Sequence, residues 1–173
     1  WDTANEWIVE TEKISRFISG ISRVDFSDLQ NIDVERIFNL CEFSKYESIS
    51  FERNQTEINQ IYEEQLLRIS ENIKQAIEIA DKISYKIVFL IEGFTDNTGD
   101  AEINKIISRK RAENVRNFLF KDGVKSEYLE IIAREDSIPN QNHIVKTKNG
   151  EFRIVTFSVF LNGKNLTKEE LPW

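Results

Sequence analysis

The chain has 173 residues, a formal net charge of −7 and a sequence pI of about 5.0. It is long enough to bury a substantial core, but it has no basic stripe to neutralise phosphates, which argues against nucleic acid or an anionic membrane surface as a partner. One cysteine, Cys41, and one histidine, His143, allow neither an internal disulfide nor a zinc site of cysteine and histidine type. We therefore expect no metal and no cofactor.

An N-terminal extension, residues 1–46, comes first in the predicted organisation. Apolar residues at helical spacing between Trp7 and Ile21 predict an amphipathic helix. A second, short helix is predicted over residues 33–40, and Cys41 is interpreted as a small buried hydrophobe because its neighbours are apolar. The first helix is a candidate dimer contact, and packing on the chain's own core is the alternative.

The core domain is predicted over residues 47–161. It contains a long helix, capped by Asn54 or Thr56 and continuing to about residue 83, with a broad apolar face and a charged opposite face.

A continuous apolar run, Ile87–Ile91, is typical of a strand buried on both faces, and Glu92 and Gly93 are expected to end it. Residues 95–100 accept local hydrogen bonds or tolerate positive φ, so we expect a turn there. A helix should follow, capped by Thr98 or Asp100, running to about residue 121 and stopping at Gly123. Its apolar stripe contains six residues: Ile103, Ile106, Ile107, Val115, Phe118 and Leu119.

The rest of the core is a strand at residues 129–133, a loop, and a final strand at residues 152–160. A polar tail, residues 162–173, begins with an Asn-Gly turn. These elements predict an α/β (α+β) sandwich, with helices packed on one face of a small mixed sheet.

The turn and the following helix also form a candidate site. Asn104, Ser108 and Arg111 have i, i+4, i+7 spacing, so they share one polar stripe beside the apolar one. Asp96 in the turn can attract an ammonium group, whereas Arg111 can form a two-pronged contact to a carboxylate. A small ligand carrying both charges would satisfy this pair. The competing interpretation is a helix cap and a solvated arginine.

The same residues resemble the signature of the OmpA-like peptidoglycan-binding domain. The string GFTDNTG at residues 93–99 is followed by the matching positions Asn104, Ser108, Arg111, Ala112, Val115 and Leu119, and the Asp-to-Arg separation, 111 − 96 = 15, is that of the family. The weaker resemblance extends over residues 47–161. The resemblance implies a β-α-β-α-β-β core, whose first strand would lie at residues 48–51.

This resemblance implies a function without catalysis, the binding of the diaminopimelate residue of a peptidoglycan stem peptide. By motif position, Asp96 would hold the ammonium and Arg111 the carboxylate. Other positions would line, shape or brace the pocket: Thr95, Asn97, Gly99, Asn104, Ser108 and Arg153. The chain departs from the family pattern at Glu151 and Phe152, and at residues 133–137, where a charged segment replaces a glycine-rich turn.

The expected role is a wall anchor in the periplasm, tied to the membrane by a segment upstream of Trp1. The long extension resembles the periplasmic part of a MotB-like stator subunit, of a flagellar-type motor or of Zorya-type antiviral defence, with a motor-type membrane partner. A porin tail or a lipoprotein is the alternative anchor. The rival class is a protein-interaction module whose Asp96 and Arg111 site has lapsed. Enzymatic activity is not expected, because no nucleophile and base can be paired.

Overall fold

The computed structural model describes residues 26–95, 100–134 and 153–166. The helices are α1 (Phe26–Leu40), α2 (Phe43–Tyr46), α3 (Glu63–Lys82) and α4 (Ala101–Lys121), with 3-10 turns at Gln60–Tyr62 and Ser126–Tyr128. The strands are β1 (Ile49–Ser50), β2 (Ile87–Phe94), β3 (Leu129–Arg134), β4 (Ile154–Leu161) and β5 (Lys164–Asn165). Both the predicted β-α-β-α-β-β core and the α/β class are confirmed.

The sheet is mixed. Its order is β1-β4-β2-β3, with β2 parallel to β3 and antiparallel to β4. Two short strands share one edge of β4, where β1 pairs with its first residues and β5 with its last. The carboxyl ends of β2 and β3 therefore lie side by side, and Thr95, which precedes the candidate turn in the sequence, directly follows β2 there.

Alternate residues of β2 face the helices. Ile87, Phe89 and Ile91 are at most 2% exposed and belong to one core with residues of α3 and α4. The core residues from these two helices include Leu66, Ile69, Ile73, Ala112, Val115 and Leu119. The opposite face of the sheet carries Val88, Leu90 and Glu92. The helices thus cover one face, as predicted.

The strand does not end at Gly93 as predicted. β2 continues to Phe94 because Gly93 and Phe94 still pair with Ala133 and Arg134 of β3. The strand predicted at residues 129–133 is confirmed, and it extends one residue further, to Arg134, where the resemblance implies a turn; residues 135–137 lie outside the described residues.

Helix α3 begins later than predicted. Neither Asn54 nor Thr56 caps it: the Asn59 side chain caps the preceding 3-10 turn, where it accepts a hydrogen bond from the Ile61 N–H at 3.1 Å, and the N-cap residue of α3 itself, Tyr62, makes no side-chain capping hydrogen bond. Asn54 instead has a φ of 59°, which suits a loop. The apolar face is confirmed from Leu66 onward, whereas Ile61 is 74% exposed.

Helix α4 has the two ends that its sequence predicts. The Asp100 carboxylate accepts hydrogen bonds from the N–H groups of Glu102 and Ile103 at 2.8 and 3.2 Å. At the other end Gly123 has a φ of 101°, and the Val124 N–H donates to the Leu119 carbonyl at 3.0 Å. This is a Schellman ending, which requires a residue that tolerates positive φ.

The extension is described from Phe26. The helix predicted at residues 33–40 is confirmed as the second half of α1, whereas the helix predicted between Trp7 and Ile21 lies outside the described residues. Ile37, Cys41 and Phe43 join the common core, and the Phe43 ring meets Phe157 edge-on at 5.5 Å. Burial raises the pKa of the Cys41 thiol well above its usual range, as befits a buried hydrophobe.

The predicted Asn-Gly turn is present after β4. Asn162 and Gly163 have φ values of 47° and 80°, and they connect β4 to the unpredicted strand β5. Leu166 follows β5 and is only 9% exposed. The final strand itself begins at Ile154; residue 152, where it was predicted to start, lies outside the described residues.

Candidate functional site

The site is built on a close approach between α4 and the end of β2. A Cβ atom added to Gly93 would stand 2.9 Å from the carbonyl carbon of Ser108, and closer still to its oxygen. It would also lie 3.3 Å from the Ala112 Cβ. Only glycine fits, because the helix backbone occupies the space of a side chain. The contact fixes α4 against the strand at Ser108.

Ser108 and Arg111 therefore face the sheet. Ser108 is fully buried, and its hydroxyl donates to the Lys105 carbonyl at 3.1 Å within the helix. Arg111 is only 1% exposed. The predicted stripe of Asn104, Ser108 and Arg111 is confirmed as one side of α4, with Asn104 half-buried at its beginning.

The burial of the neighbouring residues contradicts the predicted apolar stripe. Ile103 and Ile106 are 56% and 62% exposed, and Ile107 is half-buried. The reason is the small-residue contact at Gly93, which turns the serine and arginine inward and leaves these two isoleucines on the outer side. The apolar stripe is buried only in the second half of the helix, at Val115 and Leu119.

Arg111 is held by backbone carbonyls from two segments. Its Nε donates to Gln55 at 2.9 Å, Nη2 to Glu52 at 3.2 Å and Nη1 to Phe94 at 3.4 Å. The guanidinium also lies over the Phe51 ring, with Cζ 5.2 Å from the centroid. Burying a cation is unfavourable unless its N–H groups are hydrogen-bonded, and these contacts help to meet that need.

Arg153 lies beside this loop. Its Nε donates to the Phe51 carbonyl at 3.3 Å, while its own carbonyl accepts from the Phe51 N–H at 2.8 Å. Arg153 thus reaches Arg111 through Phe51, whose ring the Arg111 guanidinium covers. Thr95 is buried, 8% exposed, and directly follows Phe94.

The other predicted site residues, Asp96, Asn97 and Gly99, lie outside the described residues. The pairing of Asp96 with Arg111 across a ligand therefore stays a prediction. Four of the five remaining residues, Thr95, Ser108, Arg111 and Arg153, gather at the carboxyl end of β2 or beside the loop at residues 51–56, and Asn104 stands at the beginning of the same stripe.

Two features of this region escape prediction from the sequence. The first is Asn114, which donates from Nδ2 to the Thr56 carbonyl at 2.8 Å; its i+3 spacing from Arg111 is the one sign in the sequence that it lies beside the site.

The second lies on the face of the sheet away from the helices. There Arg134 donates to the Glu92 Oε1 at 3.0 and 2.8 Å, and the Ser158 hydroxyl donates to Oε2. A glutamate in a buried strand signals such a partner, but not which one.

Within the described residues, no cluster of three or more histidine, cysteine or carboxylate side chains is arranged to hold a metal ion. The described helices likewise include none that is long and apolar enough to cross a membrane.

The model of the OmpA family matches residues 50–153 of this chain. Outer membrane protein A of Buchnera aphidicola is 28% identical over 97 residues, which are 55% of this chain and 26% of that protein. The matched part thus spans about a quarter of that relative's length.

Solved structures share the fold. The peptidoglycan-associated lipoprotein of Burkholderia pseudomallei has a TM-score of 0.53 at 22% identity, covering 65% of this chain and 88% of that one. A putative MotB-like protein of Desulfovibrio vulgaris has a TM-score of 0.52 at 15% identity, covering 79% and 96%. The C-terminal domain of Helicobacter pylori MotB has a TM-score of 0.50 at 20% identity, covering 66% and 83%.

Proposed function

The chain belongs to the OmpA family, and from this premise we propose that it binds peptidoglycan without catalysing a reaction on it. The ligand is the diaminopimelate residue of a stem peptide, whose free end carries an ammonium and a carboxylate on one carbon. Asp96 takes the ammonium and Arg111 takes the carboxylate. Thr95, Asn97, Gly99, Asn104, Ser108 and Arg153 shape or brace the pocket around them.

One observation carries this proposal. The Arg111 guanidinium contacts the carbonyl of Phe94, two residues before Asp96 in the chain, so the cation stands at the end of the strand that precedes Asp96 in the sequence. The rigid support of α4 and β2 around Gly93 keeps it there. A carboxylate bound by an oriented arginine gains charge-assisted hydrogen bonds in a partly dehydrated setting, where they are stronger than on an open surface.

The role that follows is a wall anchor in the periplasm, which holds a membrane protein or complex to the cell wall. A stator subunit of an ion-driven motor, flagellar-like or antiviral, is the specific form we favour, with the membrane anchor in a segment upstream of Trp1. The MotB-like protein of Desulfovibrio vulgaris supports this choice because its fold similarity extends over 79% of the chain. A lipoprotein or porin anchor is the alternative form; the chain is similar to a peptidoglycan-associated lipoprotein and to an outer membrane protein A.

Sedimentation with purified sacculi tests the ligand. The wild-type chain should co-sediment, and free diaminopimelate should compete. Asp96 and Arg111 together form the proposed two-charge clamp on the ligand. Asp96→Asn and Arg111→Lys each remove one half of this clamp at nearly constant size and should abolish retention. The matched controls are Glu102→Gln, an exposed carboxylate in the first turn of α4, and Arg116→Lys on the same helix. Retention of both clamp variants at wild-type levels, with circular dichroism unchanged, would overturn the pocket assignment.

A second function, a protein-interaction module with a lapsed site, is favoured by a different observation. Arg111 is 1% exposed, and its guanidinium is occupied by carbonyls of the protein itself. In that case the arginine is a structural residue, and the exposed Ile103 and Ile106 are the better candidates for a contact surface. The same sedimentation experiment separates the two functions, because a lapsed site leaves the wild-type chain in the supernatant.

A further inference from the structure

A short loop, residues 51–56, forms a backbone bracket around the Arg111 guanidinium. The carbonyls of Glu52 and Gln55 accept from Nη2 and Nε, at 3.2 and 2.9 Å. A guanidinium is planar, so two acceptors at fixed positions on different nitrogens determine the orientation of its plane. The orientation of Arg111 therefore depends on the position of this loop, together with the Phe94 carbonyl of β2.

The loop is held at both ends by side chains from other elements. At its first residue, Phe51 exchanges two hydrogen bonds with Arg153, which precedes β4. At its last residue, the Thr56 carbonyl accepts from the Asn114 side chain at 2.8 Å. Between these ends the side chains of Glu52, Arg53, Asn54 and Gln55 are exposed, so they add little packing.

We infer that Asn114 is a positioning residue, which orients the Arg111 guanidinium through the backbone of residues 52–56. Asn114 lies one helical turn after Arg111 on α4, so the helix presents both the arginine and the amide that fixes its bracket. Arg153 holds the other end of the loop through its two hydrogen bonds with Phe51. The consequence for ligand binding rests on the proposed function, whereas the effect on the guanidinium does not.

The bracket explains why a neutral residue beside the site should matter. Arg111 can offer two parallel N–H groups to a carboxylate only if its plane is already set when the ligand arrives. If the loop is released at Thr56, the Gln55 and Glu52 carbonyls move relative to the helix. The ligand must then provide the ordering that Asn114 provides in the intact protein.

The test replaces Asn114 without disturbing charge. Asn114→Leu keeps the approximate size and removes the donor, and Asn114→Ala removes the donor and the packing. Asn117→Leu and Asn117→Ala are the matched controls, since Asn117 is an exposed residue of the same helix that contacts its neighbour Arg116. Thermal unfolding establishes that every variant is folded.

Two measurements follow. The first is the Arg111 Nε–H resonance in 15N-labelled protein, a buried and hydrogen-bonded donor whose signal reports its contact with Gln55. We expect both Asn114 variants to shift this resonance and to accelerate its solvent exchange, with no change in the Asn117 controls. The second is sacculus affinity, which should fall about three- to tenfold, the effect of one neutral hydrogen bond.

The outcomes separate the inference from the proposed function. If the Arg111 Nε–H resonance is the same in the wild type and in all folded variants, the inference about Asn114 is wrong, even if the wild-type chain binds sacculi. If the resonance shifts in the Asn114 variants, the inference is supported, even if the wild-type chain does not bind sacculi and the proposed function is wrong. Where the wild type does bind, unchanged affinity of both Asn114 variants would also count against it.

Discussion

The two halves of α4 pack on the same sheet by opposite rules. The second half buries Val115 and Leu119 in the common core and ends in a Schellman motif. The first half buries Ser108 and Arg111 and exposes Ile103 and Ile106. One helix therefore combines an ordinary hydrophobic contact in its second half with an inverted pattern in its first half, where polar residues are buried and apolar residues are exposed. The second half contributes to the hydrophobic core, whereas the first half departs from the usual pattern, a departure that is most often found at functional sites.

The largest expected effect on stability comes from Gly93, which permits the inverted pattern because it lets the backbone of α4 approach the strand at Ser108. Gly93→Val places a side chain where the Ser108 backbone lies, and backbone cannot move aside as a side-chain tip can. We expect a loss of more than about 4 kcal/mol or failure to fold. Urea unfolding measures it. The control is Gly163→Ala, where the added Cβ has open space and only the positive φ of 80° is unfavourable, at about 1 kcal/mol.

A large but ordinary effect is expected in the second half. Leu119 is fully buried, so Leu119→Ala should leave a cavity and destabilise the domain by about 2 to 5 kcal/mol. Because the site half does not depend on this contact for its geometry, folded Leu119→Ala protein should retain its sacculus affinity. If affinity fell in proportion to stability, the two halves would not be separable.

A smaller effect is expected at the C-terminal end of the helix. Lys74 of α3 contacts the Asp122 carboxylate at 3.2 Å, and this carboxylate raises the pKa of Lys74. Since the folded pKa is the higher one, the stabilisation is complete below the ordinary lysine pKa of about 10.4 and is lost as pH rises through the raised value. Both side chains are partly exposed, so Lys74→Met should cost less than about 1 kcal/mol.

The measurement compares unfolding of wild type and Lys74→Met by urea at pH 8 and pH 11. The difference in unfolding free energy between wild type and Lys74→Met should be smaller at pH 11 than at pH 8, and 1 M salt should reduce this difference at pH 8. Lys82→Met is the control, because its partner Glu78 is exposed on the same helix and does not touch α4. A difference that grows with pH would contradict the assigned sign.

The two halves also differ in how far the sequence predicts them. The bounds of α4, its Asp100 cap and its Gly123 ending follow from local chemistry, and the core residues Val115 and Leu119 follow from their apolar character. The exposure of Ile103 and Ile106 does not, because hydrophobic periodicity assumes that apolar residues face the sheet. What overrides it is a tertiary contact between Gly93 and Ser108, residues whose meeting depends on the register of a helix on a strand.

The bracket around Arg111 shows a similar limit. The motif predicts that Arg111 and Arg153 belong to one site, and both lie beside Phe51. Neither the motif nor the residue types predict that Arg111 donates to Glu52 and Gln55, because backbone carbonyls are present at every position and carry no sequence signal. The contacts of loop residues 51–56 and of Asn114 with the site can therefore be identified only from the structure.

The smallest expected effect concerns the exposed isoleucines of the inverted half. If Ile103 and Ile106 contribute nothing to the core, Ile103→Gln and Ile106→Gln should each change stability by no more than about 0.5 kcal/mol, an ordinary value for surface positions. Ile73→Gln on α3, a fully buried isoleucine, is the contrasting variant and should be severely destabilising. A substantial loss at Ile103 or Ile106 would mean that the first half of α4 packs against another surface after all. Unchanged stability with reduced self-association, measured by sedimentation velocity, would instead identify these two residues as a contact between molecules.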